Sequence, residues 1–155
     1  MNVFVDMDGV IFVYEKDHYE GENPKYKQKN YFANRPVDEN AIRVLKSFCE
    51  SDDIANVYIL SSAVMVYESK DDNERVANEK RDSIRTHIPW FPEDHVIIAT
   101  EHSKVETVRK FLGRDLARDD VMLDDYNKNL IEWEENGGTA IKYVNGINSE
   151  SEMFP

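Results

Sequence analysis

The apolar positions of this chain gather into five short runs, each rich in β-branched or aromatic residues. They are Val3-Phe4-Val5, Val57-Tyr58-Ile59-Leu60, Val96-Ile97-Ile98, Val121-Met122-Leu123 and Ala140-Ile141-Lys142-Tyr143-Val144. Runs of that length and composition predict β-strands. The first four are nearly continuous, as expected of strands covered on both faces of a parallel sheet. The fifth carries Lys142 in mid-run and reads as an edge strand. Between the runs the period lengthens to that of helix. Asp38 to Glu50 places Ala41, Leu45 and Phe48 on one stripe, with Ile42 and Cys49 beside it, so Cys49 is expected in the core. From about Asp72 to Ile88 only Val76, Ala77, Ile84 and Ile88 are apolar, which predicts a largely exposed helix. Ser103 with Glu106 is a capping-box signature ahead of Val105, Val108, Phe111 and Leu112. Leu130, Ile131 and Trp133 predict a last short helix ended by Asn136-Gly137-Gly138. Strand and helix alternating in this way predict an α/β layered sheet with right-handed crossovers.

One segment has no period. From about Tyr14 to Arg35 the chain holds Tyr14, Tyr19, Tyr26, Tyr31 and Phe32, with five basic residues against four acidic. Its net charge of +1 leaves −13 on the remaining residues of a chain whose total is −12, so an anion meets least repulsion there. That overall charge argues against nucleic-acid wrapping and against an anionic membrane surface. No apolar run reaches the roughly 18–20 residues of a membrane span, and acid arrives at Asp6 with no basic n-region before it, unlike a signal peptide. Cys49 has no second cysteine to pair with. With 155 residues the expectation is one domain over 1–148, a tail over 149–155, and a cytoplasmic location.

The chemistry concentrates at two strand ends. The first strand runs into Asp6-Met7-Asp8-Gly9-Val10 and the fourth into Asp124-Asp125. Ligands of open α/β sheets bind outside the carboxyl ends of the strands. Carboxylates delivered there from two strands repel one another unless a cation lies between them. Oxygen-only ligands of this kind fit Mg²⁺, which favours one or two carboxylates plus a phosphate. A lone Asp-x-Asp is weak, since an acidic chain often places Asp after a strand; the conjunction of both acidic ends is the signal. An EF-hand fails at both places: Asp6-x-Asp8 lacks a third loop acid, and Leu130 stands where the turn glycine is required after Asp125, Asn127 and Asn129.

These residues resemble a known family. Val3-Phe4-Val5-Asp6-Met7-Asp8-Gly9-Val10 is similar to the first motif of the haloacid dehalogenase superfamily of phosphohydrolases, and Ile59-Leu60-Ser61 to the second. Lys104 suits the third, and Leu123-Asp124-Asp125 with Asn129 the fourth. Within the superfamily the chain looks most like the 5′(3′)-deoxyribonucleotidases, through Asp6-Met7-Asp8-Gly9-Val10, Tyr31-Phe32 ahead of Pro36, and Leu123-Asp124-Asp125. It departs from them in a shorter insert, in Ser61-Ser62 replacing Thr-Ser, and in a longer spacer between Lys104 and Asp124.

The resemblance implies a Rossmann-like three-layer α/β/α fold with a five-stranded parallel sheet and a small cap insert at about 14–35. It implies a Mg²⁺-dependent phosphomonoesterase, with Asp6 as nucleophile and Asp8 as general acid and base. Mg²⁺ is expected on Asp6, the backbone carbonyl of Asp8 and Asp125, with Asp124 and Asn129 nearby or acting through water. Ser61 and Lys104 are expected on the phosphate, assisted by backbone N–H groups of Met7 to Gly9 and of Ser62. The partner is then a small phosphorylated substrate, plausibly a nucleoside monophosphate, with a sugar phosphate as runner-up and a non-catalytic binding protein as the different class. For the insert two readings stand: Phe12, Tyr14, Tyr31 and Phe32 stack on a nucleobase, or the aromatics give an irregular segment its own small core. Lys104 likewise has a bland reading as a solvated first-turn lysine.

Overall fold

The computed structural model describes residues 1–13, 19–20, 23–24, 28–64 and 69–144. Tyr14, most of the expected insert and the expected tail lie outside these residues. In chain order the strands are β1 (Asn2–Val5), β2 (Tyr19–Glu20), β3 (Asn23–Pro24), β4 (Asn56–Ser62), β5 (Val96–Ala99), β6 (Asp120–Asp124) and β7 (Thr139–Lys142). The helices are α1 (Glu39–Cys49), α2 (Lys70–His87), α3 (Lys104–Leu112) and α4 (Asn127–Glu135). β2 and β3 form a small antiparallel ladder. The other five strands form one sheet in the order β5-β4-β1-β6-β7, every pair of them parallel.

Successive residues of a strand face opposite ways, and that explains why the runs are continuous. Val3, Val5, Val57, Ile59, Val96 and Ile98 face one core with Leu45 of α1 and Val76, Ala77 and Ile84 of α2. Phe4, Tyr58, Leu60, Ile97 and Met122 face the other with Val105 and Val108 of α3 and Trp133 of α4. The result is a three-layer, Rossmann-like α/β/α arrangement. In the second core the Phe4 ring lies 5.1 Å from Tyr58 and 5.2 Å from Trp133, and the indole N–H of Trp133 donates to the Asp120 carbonyl at 3.0 Å.

Among the described residues, three of the four helices start where a side chain satisfies a free N–H group. Asp38 accepts from the N–H groups of Asn40 and Ala41, Ser69 and Asp72 form a reciprocal capping box, and Ser103 accepts from the Glu106 N–H. Gly113, at φ 68°, ends α3.

Two expectations are corrected. The helix read as exposed is not: α2 buries Asn73, Val76, Ala77, Glu79, Lys80, Ser83 and Ile84. Its inward stripe is half polar, and three of its polar side chains reach partners on other segments: Asn73 the Thr100 carbonyl, Glu79 the Asn30 N–H and Lys80 as described below. Cys49 is exposed, because it is the last residue of α1 and the stripe has rotated off the core by then. The edges of the sheet are β7, as expected, and also β5, whose apolar run is covered on both faces although it has a neighbour on one side only. Arg81 donates to the Val96 carbonyl at 3.1 Å and so occupies one acceptor of the β5 strand.

β1 is the centre of the sheet and the switch point of its order: the chain steps outward through β4 and β5, then returns to build β6 and β7 on the other side. The register puts Val5 beside Ile59 and Leu123. The carboxyl ends of β1, β4 and β6 therefore open on a common rim, the usual ligand position of such sheets. Among the described residues no helix is long and apolar enough to cross a membrane.

Candidate functional site

Asp6 follows β1 directly and is tethered to the sheet through its N–H, which donates to the Leu123 carbonyl at 2.8 Å. The chain then turns sharply. The Met7 carbonyl accepts from the N–H groups of both Ile11 and Phe12, and the Gly9 N–H donates to the Phe12 carbonyl at 2.8 Å. That bond takes the Gly9 N–H away from the phosphate role expected of it. Met7, Val10, Ile11 and Phe12 are all buried beneath this turn. Gly9 sits at φ 86°, and a Cβ there would run into the Asp125 carboxylate. Only glycine allows the backbone so close to that group.

Two clusters lie on the rim. In the first, Asp6, Asp124 and Asp125 bring carboxylate oxygens within 4.8 Å of one another. Lys104, the first residue of α3, reaches between them: its Nζ donates to Asp6 Oδ1 at 2.5 Å and to Asp124 Oδ2 at 2.7 Å. Both ends of these pairs are buried, so they act at low dielectric. Burial alone would push the Lys104 ammonium towards neutrality, but Asp124 and Asp6 outweigh it and hold the group charged. Burial pushes the Asp6 carboxyl well above the usual carboxylate range; Asp124 adds to this, Lys104 pulls the other way, and Asp125 and Asp8 raise it further. Asp124 is saturated with donors, receiving the Tyr126 N–H at 2.8 Å and Asn129 Nδ2 at 2.9 Å besides Lys104. Asp125 is half-buried against Gly9, and its carbonyl accepts from Lys142 Nζ, which also bonds Asn127 Oδ1 at 2.7 Å.

In the second cluster, Lys80 Nζ from α2 donates to Asp8 Oδ2 at 2.5 Å, to Ser61 Oγ at 3.0 Å and to the Ser62 carbonyl at 2.7 Å. Ser61 Oγ also donates to Asp8 Oδ2 at 3.4 Å. The Lys80 ammonium lies 4.5 Å from the centre of the Phe32 ring.

Most of the expected residues thus meet, with differences in detail. Asp6, Asp124, Asp125 and Lys104 form one unit, and Asn129 orients Asp124 as expected. Lys104 is no solvated lysine, yet its partners are carboxylates. The Asp8 side chain belongs to the second cluster and is not among the three converging carboxylates. Ser61 faces the site, whereas the Ser62 hydroxyl turns back to accept the Val64 N–H at 3.3 Å. The aromatic expectation is corrected in part. Phe12 has no exposed surface and lies 5.7 Å from the His87 ring, edge to face. Phe32 is also core, at 6% exposure. Tyr31 is half-buried and packs edge to face on Phe32 with centroids 4.9 Å apart; its hydroxyl accepts from Arg35. Neither phenylalanine has a face open to stack on a base; both belong to the core that the sheet shares with α1 and α2, with Tyr31 packed against it.

Lys80 was missed. The signal for it was its position: Val76, Lys80 and Ile84 are spaced by four, which sets a lysine on the buried stripe of α2. A lysine at such a place must be paired or shifted, and its partners come from β4 and the turn after β1.

The residues present fit a divalent cation. Four carboxylates, Asp6, Asp8, Asp124 and Asp125, meet the ammonium groups of Lys80, Lys104 and Lys142, a formal excess of one negative charge. Asp6, Asp124 and Asp125 supply oxygen ligands only, and the missing Cβ of Gly9 leaves Asp125 room to approach. Asp124 already accepts from three donors. The chain matches no family model and no curated protein sequence.

Proposed function

We propose that the protein is a Mg²⁺-dependent phosphomonoesterase that works through an aspartyl-phosphate on Asp6. The observation that supports this most is the buried Asp6–Lys104–Asp124 arrangement with Asp125 alongside, at the switch point of a parallel sheet. A binding scaffold gains nothing from three carboxylates that repel one another at a strand end. The resemblance of the four motifs to the haloacid dehalogenase phosphohydrolases supports the same reading.

Asp6 and Asp125 would hold the metal, which when bound neutralises charge on the phosphate and keeps the Asp6 carboxyl ionised against its burial. The remaining work falls to the chain itself. Asp6 attacks phosphorus, splitting one difficult displacement into two easier ones. Lys104 fixes the attacking carboxylate and stands ready for the phosphoryl oxygens. Asp8 protonates the departing alkoxide, then takes a proton from the water that releases phosphate. Substrates are small, since the surface charge disfavours nucleic acid; a nucleoside monophosphate is the first choice and a sugar phosphate the second.

The test is phosphate release from a panel of nucleoside monophosphates, sugar phosphates and p-nitrophenyl phosphate, with Mg²⁺ or with EDTA. Asp6→Asn is expected to fold and to show no turnover, because phosphate-monoester hydrolysis without its nucleophile is among the slowest reactions known. Normal release by Asp6→Asn would end the proposal, and the ranking of the panel selects the substrate class.

A further inference from the structure

We infer, on the phosphatase reading above, that Lys80 is a positioning residue that divides the labour between the two oxygens of Asp8. Asp8 Oδ2 is fixed, accepting from Lys80 Nζ at 2.5 Å and from Ser61 Oγ at 3.4 Å. Asp8 Oδ1 is equally removed from solvent and receives no hydrogen bond. Leaving a buried acceptor unmatched is costly, and such atoms in native folds call for a functional reason. One saturated oxygen and one bare one on the same carboxylate mark which atom is the handle and which the tool.

Lys80 is built to hold and not to bind. An ammonium has three donors, and all three are committed, to Asp8, Ser61 and the Ser62 carbonyl. At 3% exposure it has no proton left for a phosphate. Its fourth neighbour, the Phe32 ring, closes the remaining side. The side chain comes from a helix, so its position is set by the fold and not by a loop.

In the first step a carboxylate oxygen of Asp6 bonds to phosphorus while the bond from phosphorus to the alkoxide oxygen breaks, and the alkoxide takes the proton carried on Asp8 Oδ1. In the second, water gives a proton to Asp8 Oδ1 and attacks phosphorus, the bond to Asp6 breaks, and inorganic phosphate leaves. The rotation of Asp8 about its own side chain is what Lys80 prevents.

The experiment compares kcat/KM of wild type and Lys80→Met on an alkyl phosphate and on p-nitrophenyl phosphate. The alkoxide must be protonated as it leaves, whereas p-nitrophenolate departs unaided. A misplaced acid is expected to lower kcat/KM about 10²-fold on the alkyl ester and less than about fivefold on the aryl ester. Lys80→Gln, which keeps a donor on a side chain one bond shorter, is expected to fall between, and it carries the comparison if the methionine variant does not fold. Equal losses on both esters, the mark of a phosphate ligand or of general unfolding, would overturn the role of Lys80. Absence of metal-dependent turnover by the wild type on either ester would instead remove the phosphatase reading itself.

Discussion

Titrating Mg²⁺ into the folded protein while its thermal unfolding is followed gives the cluster of Asp6, Asp124 and Asp125 a quantitative trial. Their oxygens lie within 4.8 Å of one another. At that separation and an effective dielectric of about 20, two unit charges repel by about 3.5 kcal/mol. Lys104 relieves part of this through Asp6 and Asp124. A cation that binds the folded chain at a hundredfold excess over its Kd stabilises it by about 2.7 kcal/mol. For a chain of this size each kcal/mol moves Tm by roughly 2–4 °C, so saturation is expected to raise Tm by about 5–11 °C. Asp125→Asn deletes one of the repelling charges, so without Mg²⁺ its Tm should equal or exceed that of the wild type, and Mg²⁺ should scarcely move it. NaCl at matched ionic strength separates general screening from site binding. An equal rise in wild type and Asp125→Asn, or no rise in the wild type, would refute the assignment of these carboxylates to a cation.

Two further outcomes follow from groups on the same sheet. Burial alone would raise the Asp120 carboxyl, but hydrogen bonds from Arg114, Asn2 and the Ala117 N–H outweigh it and hold it below its usual value. The folded state therefore gains stability above the ordinary carboxylate pKa and loses it as pH falls through the lower folded value. Urea unfolding should show Asp120→Asn less stable than wild type by about 3 kcal/mol at neutral pH, with the gap narrowing as pH falls below the ordinary carboxylate range towards the lower folded value; a constant gap would contradict the sign. Gly9→Ala combines a left-handed backbone with a collision against Asp125, so it should abolish the Mg²⁺-induced rise in Tm even where the variant still folds. Retention of the full rise in Gly9→Ala would show that Asp125 is not held where the structure has it.

The layered sheet was legible in the sequence because its strands are buried on both faces, so each reads as an apolar run that needs no period to be found. Asp6, Asp8, Asp124 and Asp125 were legible because they follow those runs directly, where a side chain must leave the core. What escaped was the inside of α2. Hydrophobic periodicity detects burial only when the buried residue is apolar, and here Asn73, Glu79 and Lys80 are buried against partners 27, 49 and 72 residues away. No local spacing encodes such a partnership. Phe12 and Phe32 failed in the opposite sense: aromatics beside a turn that carries acidic residues suit either a ligand or a core, and composition does not separate the two. Cys49 failed by its place, since a stripe drawn through the last turn of a helix outruns the surface that covers it.

The central place of β1 has a consequence for the order in which the site comes into being. Asn2 bonds Asp120 across 118 residues of chain, and Asp6 stands equally far from Asp124. At a synthesis rate of about 5–20 residues per second Asp6 is made roughly 6–24 s before Asp124 and Asp125. During that interval β1 can pair with β4 alone, and the strain of bringing like charges together is absent. The repulsion enters only when β6 docks on the far side of β1, and α3 has by then been made and carries Lys104 between the two strands. The counter-charge is thus synthesised before the charge it must offset, and the nascent chain never has to hold the acidic rim together without it.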